Sequence, residues 1–194
     1  MLSQSARLVL LDASPLCRFA ECNLLPQLRA YFGPRARITR EVERELVRLG
    51  ARAEFAELAE HLADDSETVR SEGKWPKATA NLPDALKVEF ANIHSLKRAV
   101  DEHDKAHAGE IATVLMAQHR GADLVIIDDV WGSNLAKARG LAVMSTARLS
   151  LEMVVAGGLS ESQGFRVFDA ATLEDVGRDR FDQAMARLRR AANP

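Results

Sequence analysis

The chain has 194 residues, 47% hydrophobic and 28% charged, with 26 Lys and Arg against 28 Asp and Glu. That length supports one sizeable core, and a formal net charge of −2 excludes a globally basic protein, so any surface for a polyanion must be a local patch. Two cysteines are too few for a disulfide scaffold or a zinc site of thiolates, and no apolar run approaches the roughly 20 residues of a membrane-spanning helix.

Taken in chain order, Leu8-Val9-Leu10-Leu11 is a continuous apolar run and reads as a buried parallel strand. Asp12 interrupts it at once, so Arg7 and this run do not form a secretion signal, and a soluble, cytoplasmic protein is expected. Residues 15–22 and 24–32 read as a helix pair holding Cys17 and Cys22 as buried free thiols. Thr39 is placed to cap a helix with Val42, Leu46 and Leu49 on one face. Phe55, Leu58, Ala59 and Leu62 continue a helical stripe, and the polar stretch 65–82, with Gly73 and Pro76, reads as a loop. From Asp84, the residues Leu86, Phe90, Ile93, Leu96 and Val100 recur at helical spacing. A charged connector, 101–107, leads into a helix from Gly109 to Arg120.

Leu124-Val125-Ile126-Ile127 repeats the buried-strand pattern and ends in Asp128-Asp129. A helix around 135–139, Gly140 and a third strand, 142–144, follow. Phe165-Arg166-Val167-Phe168 reads as a fourth strand at an edge. The tail, 170–194, reads as an amphipathic helix with Leu173, Phe181, Met185 and Leu188. The alternation predicts one α/β domain over 1–194, a three-layer α/β/α arrangement around a parallel sheet, with 51–104 as a helical insertion.

In open parallel sheets, ligands bind beyond the carboxyl ends of the strands. Two strands here deliver Asp side chains to that edge, and Glu110 lies in the first turn of the helix before the second of them. Carboxylates brought together repel one another, and a divalent cation such as Mg²⁺ or Mn²⁺ removes the conflict. For Asp12 alone, helix capping and a catalytic role are equally served by its position. Of Asp128 and Asp129, one is expected to be structural. Glu45 lies roughly 60° from Val42 on a helical wheel, at the margin of the apolar face, where helix geometry alone favours a solvated pairing with Arg44 or Arg48.

Other residues speak less clearly. Arg35, Arg37 and Arg40 precede the Glu45 helix, and Arg139 and Arg148 flank the third strand. Each reads singly as a solvated charge, and together they are compatible with RNA. His103 and His107 have the spacing of a helical metal pair, yet Asp101, Glu102, Asp104 and Lys105 mark an exposed connector, and no third ligand stands out. Trp75 beside Pro76 reads as packing. Trp131, two residues beyond Asp129, is the better candidate for a substrate contact.

Three stretches, "LVLLDASPL", "ITREVERELVRL" and "HAGEIATVLMAQHRGADLVIIDDVWGSNLAKARGLAV" followed by "MST", resemble in order and content the PIN-domain nucleases, which include the VapC-type toxin ribonucleases. The resemblance covers 7–50 and 106–160. It implies metal-binding catalytic carboxylates at Asp12, Glu45, Glu110 and Asp129, with Asp128 assisting or replacing Asp129. It also implies small hydroxyl residues, Ser14 and Thr146, lining the site, and Arg40 from the basic group is taken as a further RNA contact. The implied activity is Mg²⁺- or Mn²⁺-dependent hydrolysis of RNA by the toxin of a toxin–antitoxin pair, as a homodimer covered by a small antitoxin. An RNA-processing nuclease without an antitoxin, or a non-catalytic nucleic-acid-binding module, shares the pattern. Gly132-Ser133, Ser145 and the long 51–104 segment depart from the toxin pattern without touching the acids. A dehalogenase-like phosphatase fits less well, because Asp12-Ala13-Ser14 lacks a second acid, and a phosphotransfer receiver would need the acidic pair and the single Asp in reverse order.

Overall fold

Four strands pair side by side in the computed structural model, which describes residues 1–50, 83–100, 107–172 and 177–192. They are β1 (Val9–Leu11), β2 (Ala36–Arg37), β3 (Leu124–Ile126) and β4 (Val143–Met144), in the order β2-β1-β3-β4 and all parallel. Around them lie α1 (Leu2–Ser5), α2 (Ala13–Glu21), α3 (Leu25–Phe32), α4 (Arg40–Gly50), α5 (Asp84–Val100), α6 (Ala108–Arg120), α7 (Val130–Ala138), α8 (Thr146–Val155), α9 (Glu161–Thr172) and α10 (Gly177–Ala192). The expected α/β fold with a parallel sheet and flanking helices is what the chain forms.

Alternation along the strands divides the core in two. Val9, Leu11, Leu124 and Ile126 face a large cluster with residues of α2, α3, α4, α8, α9 and α10. Leu10, Val125 and Ile127 face the opposite side, against Ile111, Ala112, Leu115 and Met116 of α6, with Leu86, Phe90 and Ile93 of α5 packed outside. Both faces of β1 and β3 are covered, which is why these strands are apolar throughout rather than alternating. Cys17 and Cys22 are buried free thiols, as expected, and burial pushes the Cys17 thiol up to about 12.

One sequence expectation fails here. Residues 165–168 are helical, inside α9, not an edge strand. Phe and Val favour strands, but Gly164, Val167 and Phe168 share one buried helical face, and Phe165 and Phe168 both pack edge-on against Phe181. The helix start was written in Ser160–Gln163: Ser160 Oγ accepts from the Gln163 N–H, and Gln163 Oε1 accepts from the Ser160 N–H, a reciprocal capping box. Gly164 also lets α9 approach α8, since a Cβ there would stand 2.1 Å from Val154 Cγ2. One strand has no counterpart among the expected elements: β2, too short to signal itself, pairs Ala36 with Val9 and Arg37 with Leu10.

The stripe 55–62, the loop 65–82 and the connector 101–106, hence most of the expected insertion, lie outside the described residues, as does Leu173 of the tail. Phe181, Met185 and Leu188 of α10 are buried as the amphipathic pattern requires. Among the described residues no helix is long and apolar enough to cross a membrane.

Candidate active site

The carboxyl ends of β1 and β3 lie side by side, because Leu11 pairs with Ile126 and the Asp12 N–H continues the ladder to the Ile126 carbonyl at 3.0 Å. Asp12 therefore leaves β1 directly beside the 127–129 segment. It is 1% exposed, its side chain makes no helix-capping bond, and its Oδ1 has no hydrogen-bond partner. Burial first, then the charges of Glu110 and Glu45, push the Asp12 carboxyl well above the ordinary carboxylate range, against the backbone N–H groups of Ala13 and Ser14.

Helices α4 and α6 bring the next two acids. Gly109, in the first turn of α6, is the point of closest approach: a Cβ there would lie 3.0 Å from Glu45 Oε2, 3.4 Å from Asp12 Oδ1 and 3.4 Å from Val42 Cγ2. Thr39 opens α4 by accepting at Oγ1 from the Val42 N–H, so the cap and the buried Val42–Leu46 stripe fix the rotation that turns Glu45 inward. Glu45 thus faces Asp12 and Gly109 rather than lying on a solvated face. Burial raises its carboxyl above the usual range, partly offset by Arg48 and His107.

The tandem aspartates divide the work. Asp128 accepts from the Thr146 N–H and the Thr146 hydroxyl, both at 2.7 Å, so both its oxygens are engaged in fixing the start of α8. Burial raises its carboxyl and those two bonds lower it. Asp129 caps α7 through a 2.6 Å bond from the Gly132 N–H, and the same Oδ2 lies 3.9 Å from His107 Nδ1. His107 Nδ1 is 3.6 Å from Glu110 Oε1, and one ligand atom from each of His107, Glu110 and Asp129 falls within 4.8 Å of the others.

His107 is the residue that sequence reasoning misplaced. It was assigned to an exposed connector, yet its side chain is only 26% exposed and its ring lies 5.0 Å from that of Trp131. Its spacing to Glu110 was visible, but the nearness of Asp129 was not.

The other expected contacts sit as follows. Thr146 is fully buried, with its hydroxyl on Asp128. Ser14 is half-buried at the start of α2, and Arg40 is exposed at the start of α4. Arg35 belongs to the scaffold rather than to a basic patch: its guanidinium donates to the carbonyls of Ser3, Ala6, Tyr31 and Phe32. Arg37 likewise donates to the carbonyls of Pro34 and Ala36.

Clustered carboxylates at the carboxyl edge of a parallel sheet, one of them buried and incompletely bonded, define an acidic site suited to a cation. A family model described as a PIN domain (DUF3368) matches residues 65–165, just over half of the chain, and the chain belongs to this family. The matched span contains His107, Glu110, Asp128, Asp129 and Thr146, whereas Asp12 and Glu45 lie before it and join the site through the tertiary structure. No curated protein matches the chain.

Proposed function

We propose that this chain is a metal-dependent endoribonuclease that hydrolyses RNA phosphodiester bonds. The observation that carries the reading is Asp12 Oδ1, a buried carboxylate oxygen without a hydrogen bond, turned toward Gly109 between Glu45 and Glu110. Leaving such an oxygen bare beside two further acids costs stability unless positive charge fills the gap. The space kept open by Gly109 and the all-oxygen character of the acids fit a hard divalent cation such as Mg²⁺ or Mn²⁺, which Asp12, Glu45, Glu110 and Asp129 would hold. Bound there, the ion supplies charge against the phosphate and makes water more acidic.

The chain's own groups would orient the substrate. A cavity of about 400 Å³ opens beside Asp128, and its lining includes the apolar Val130, Val143 and Met144 and the polar Lys137, Ser145 and Arg148. That mixture suits a nucleotide, with the base against the apolar residues and the backbone phosphates against the two cations. Asp128, tied to Thr146, holds α8 and therefore Arg148 at the rim of this cavity. Ser14 and Arg40 are further candidate contacts.

In the cell, we assign the chain the role of toxin in a toxin–antitoxin pair, acting in the cytoplasm as a homodimer and held by a small antitoxin. Purified protein with Mn²⁺ is expected to cleave single-stranded RNA, and Asp12→Asn is expected to lower the rate at least about 100-fold without unfolding the protein. Equal rates in the two proteins, or cleavage that persists in excess chelator, would remove the assigned chemistry. Growth arrest on induction, lost in Asp12→Asn, checks the toxin role.

A further inference from the structure

We propose that His107 Nδ1 is a nitrogen ligand of the ion held at this site and biases the site toward Mn²⁺ and similar transition-metal ions over Mg²⁺. The inference rests on the metal-dependent reading above and adds a ligand that the acidic set does not contain.

The geometry comes first. Nδ1 stands 3.6 Å from Glu110 Oε1 and 3.9 Å from Asp129 Oδ2, beyond ordinary hydrogen-bond length in both cases. Two ligands each about 2.1 Å from one ion stand from about 3 Å apart when adjacent to about 4.2 Å when opposite, and both separations fall inside that span. The three side chains are 26%, 16% and 31% exposed, a partly closed setting in which a cation is only partly screened by water.

The second observation is independent of that triad. Asp12 is 1% exposed, its Oδ1 lacks a hydrogen bond, and it faces Gly109, the residue directly before Glu110. The bare acceptor and the imidazole meet consecutive residues of α6: Asp12 Oδ1 faces Gly109, and His107 Nδ1 stands beside Glu110.

The ring is also held in place. His107 precedes α6 directly, three residues before Glu110, and packs at 5.0 Å against Trp131, which follows Asp129 in α7. The elements that carry the two carboxylates therefore also set the imidazole. Chemistry then gives the selectivity. Mg²⁺ is a hard ion that keeps oxygen ligands and water, whereas first-row transition-metal ions accept an imidazole nitrogen, with affinity rising from Mn²⁺ to Cu²⁺.

The test is metal binding, with no nuclease assay. Wild-type protein is loaded with Mn²⁺ at pH 8, and pulsed electron paramagnetic resonance is used to look for nitrogen-14 coupling to the ion. Calorimetry then measures Mn²⁺ and Mg²⁺ affinities for wild type and His107→Ala. The expected result is nitrogen coupling in wild type that vanishes in the variant, with Mn²⁺ affinity falling at least tenfold and Mg²⁺ affinity less than about threefold. Mn²⁺ bound without nitrogen coupling in wild type overturns the proposal while leaving the metal site intact, and so does an equal loss of both affinities in the variant. No binding of either ion to wild type overturns the metal-dependent reading itself, and this proposal with it. The wild-type spectrum decides the question even if the variant folds poorly.

Discussion

Asp12 and Glu152 are equally buried, each 1% exposed, yet their surroundings are opposite. Glu152, inside α8, accepts from the Ser3 N–H at 3.0 Å, the Ser3 hydroxyl at 2.6 Å and Arg148 Nε at 3.2 Å. Ser3 Oγ is also 2.7 Å from the Tyr31 hydroxyl, so this region is a closed polar knot that ties α1 to α8. Asp12 has a bare oxygen and two acidic neighbours. A buried carboxylate with its bonds complete stabilises the fold. One with bonds missing and like charges around it is held in place by the rest of the structure, and that is the physical mark of a site prepared for a ligand.

The comparison breaks most sharply at Asp12. Beyond the loss of cleavage, Asp12→Asn should raise the stability of the metal-free protein by about 1–2 kcal/mol, a Tm increase of roughly 3–6 °C, because it removes a buried charge from an acidic neighbourhood. The same variant should lose the Tm increase that Mn²⁺ gives wild type. A lower metal-free Tm in scanning calorimetry would show that the Asp12 carboxylate is structural after all.

Glu152→Ala should do the reverse. It strands the buried Ser3 N–H and removes the bonds from the Ser3 hydroxyl and Arg148, so it should cost about 2–4 kcal/mol and lower Tm by roughly 5–12 °C, with Mn²⁺ affinity unchanged. Gly109→Ala separates binding from folding at a finer level. Alanine is the better helix former, but its methyl would press on Glu45 and Asp12, so Tm should hold or rise while Mn²⁺ affinity falls roughly tenfold, about 1.4 kcal/mol. Calorimetric titration beside a melting curve reads both.

The smallest effect belongs to a third carboxylate, at the amino end of the sheet. Asp123 accepts from the N–H groups of Leu8 and Arg7 at 3.0 and 2.8 Å, and these bonds hold its carboxyl below the usual range. A depressed folded-state pKa contributes stability that is present above the unfolded value, about 3.9, and is lost as pH falls through the folded one. Asp123→Asn should therefore flatten the acid limb of the Tm–pH profile below about pH 4 and leave the profile near pH 7 the same shape.

Much of the site's framework was legible in the residues. An apolar run closed by an acid marks a buried strand and puts the carboxylate at its carboxyl end, which located Asp12 and the 128–129 pair. The choice between Asp128 and Asp129 was not legible, since adjacent residues at a strand end can turn either way. The structure separates them by their partners: Thr146 takes both oxygens of Asp128, and Asp129 caps α7 beside His107. For Glu45 the helical wheel favoured a solvated face and only the family resemblance pointed inward, for a related reason: a wheel gives the angle to a helix's own apolar face, but not which neighbouring helix stands there. The strand expected at 165–168 was an avoidable error, because the Ser160–Gln163 capping box was already in the sequence.

Sequence by itself determined the parallel sheet, the helices around it and the acids at its carboxyl edge, because burial periodicity and strand-end chemistry are local properties. Only the tertiary structure decided that Glu45 turns inward, that Asp128 is engaged elsewhere and that His107 lies beside Glu110 and Asp129. Those outcomes depend on how α4, α6 and α7 pack against one another, and the distance between side chains on different helices is set by packing across the core, which no local pattern records.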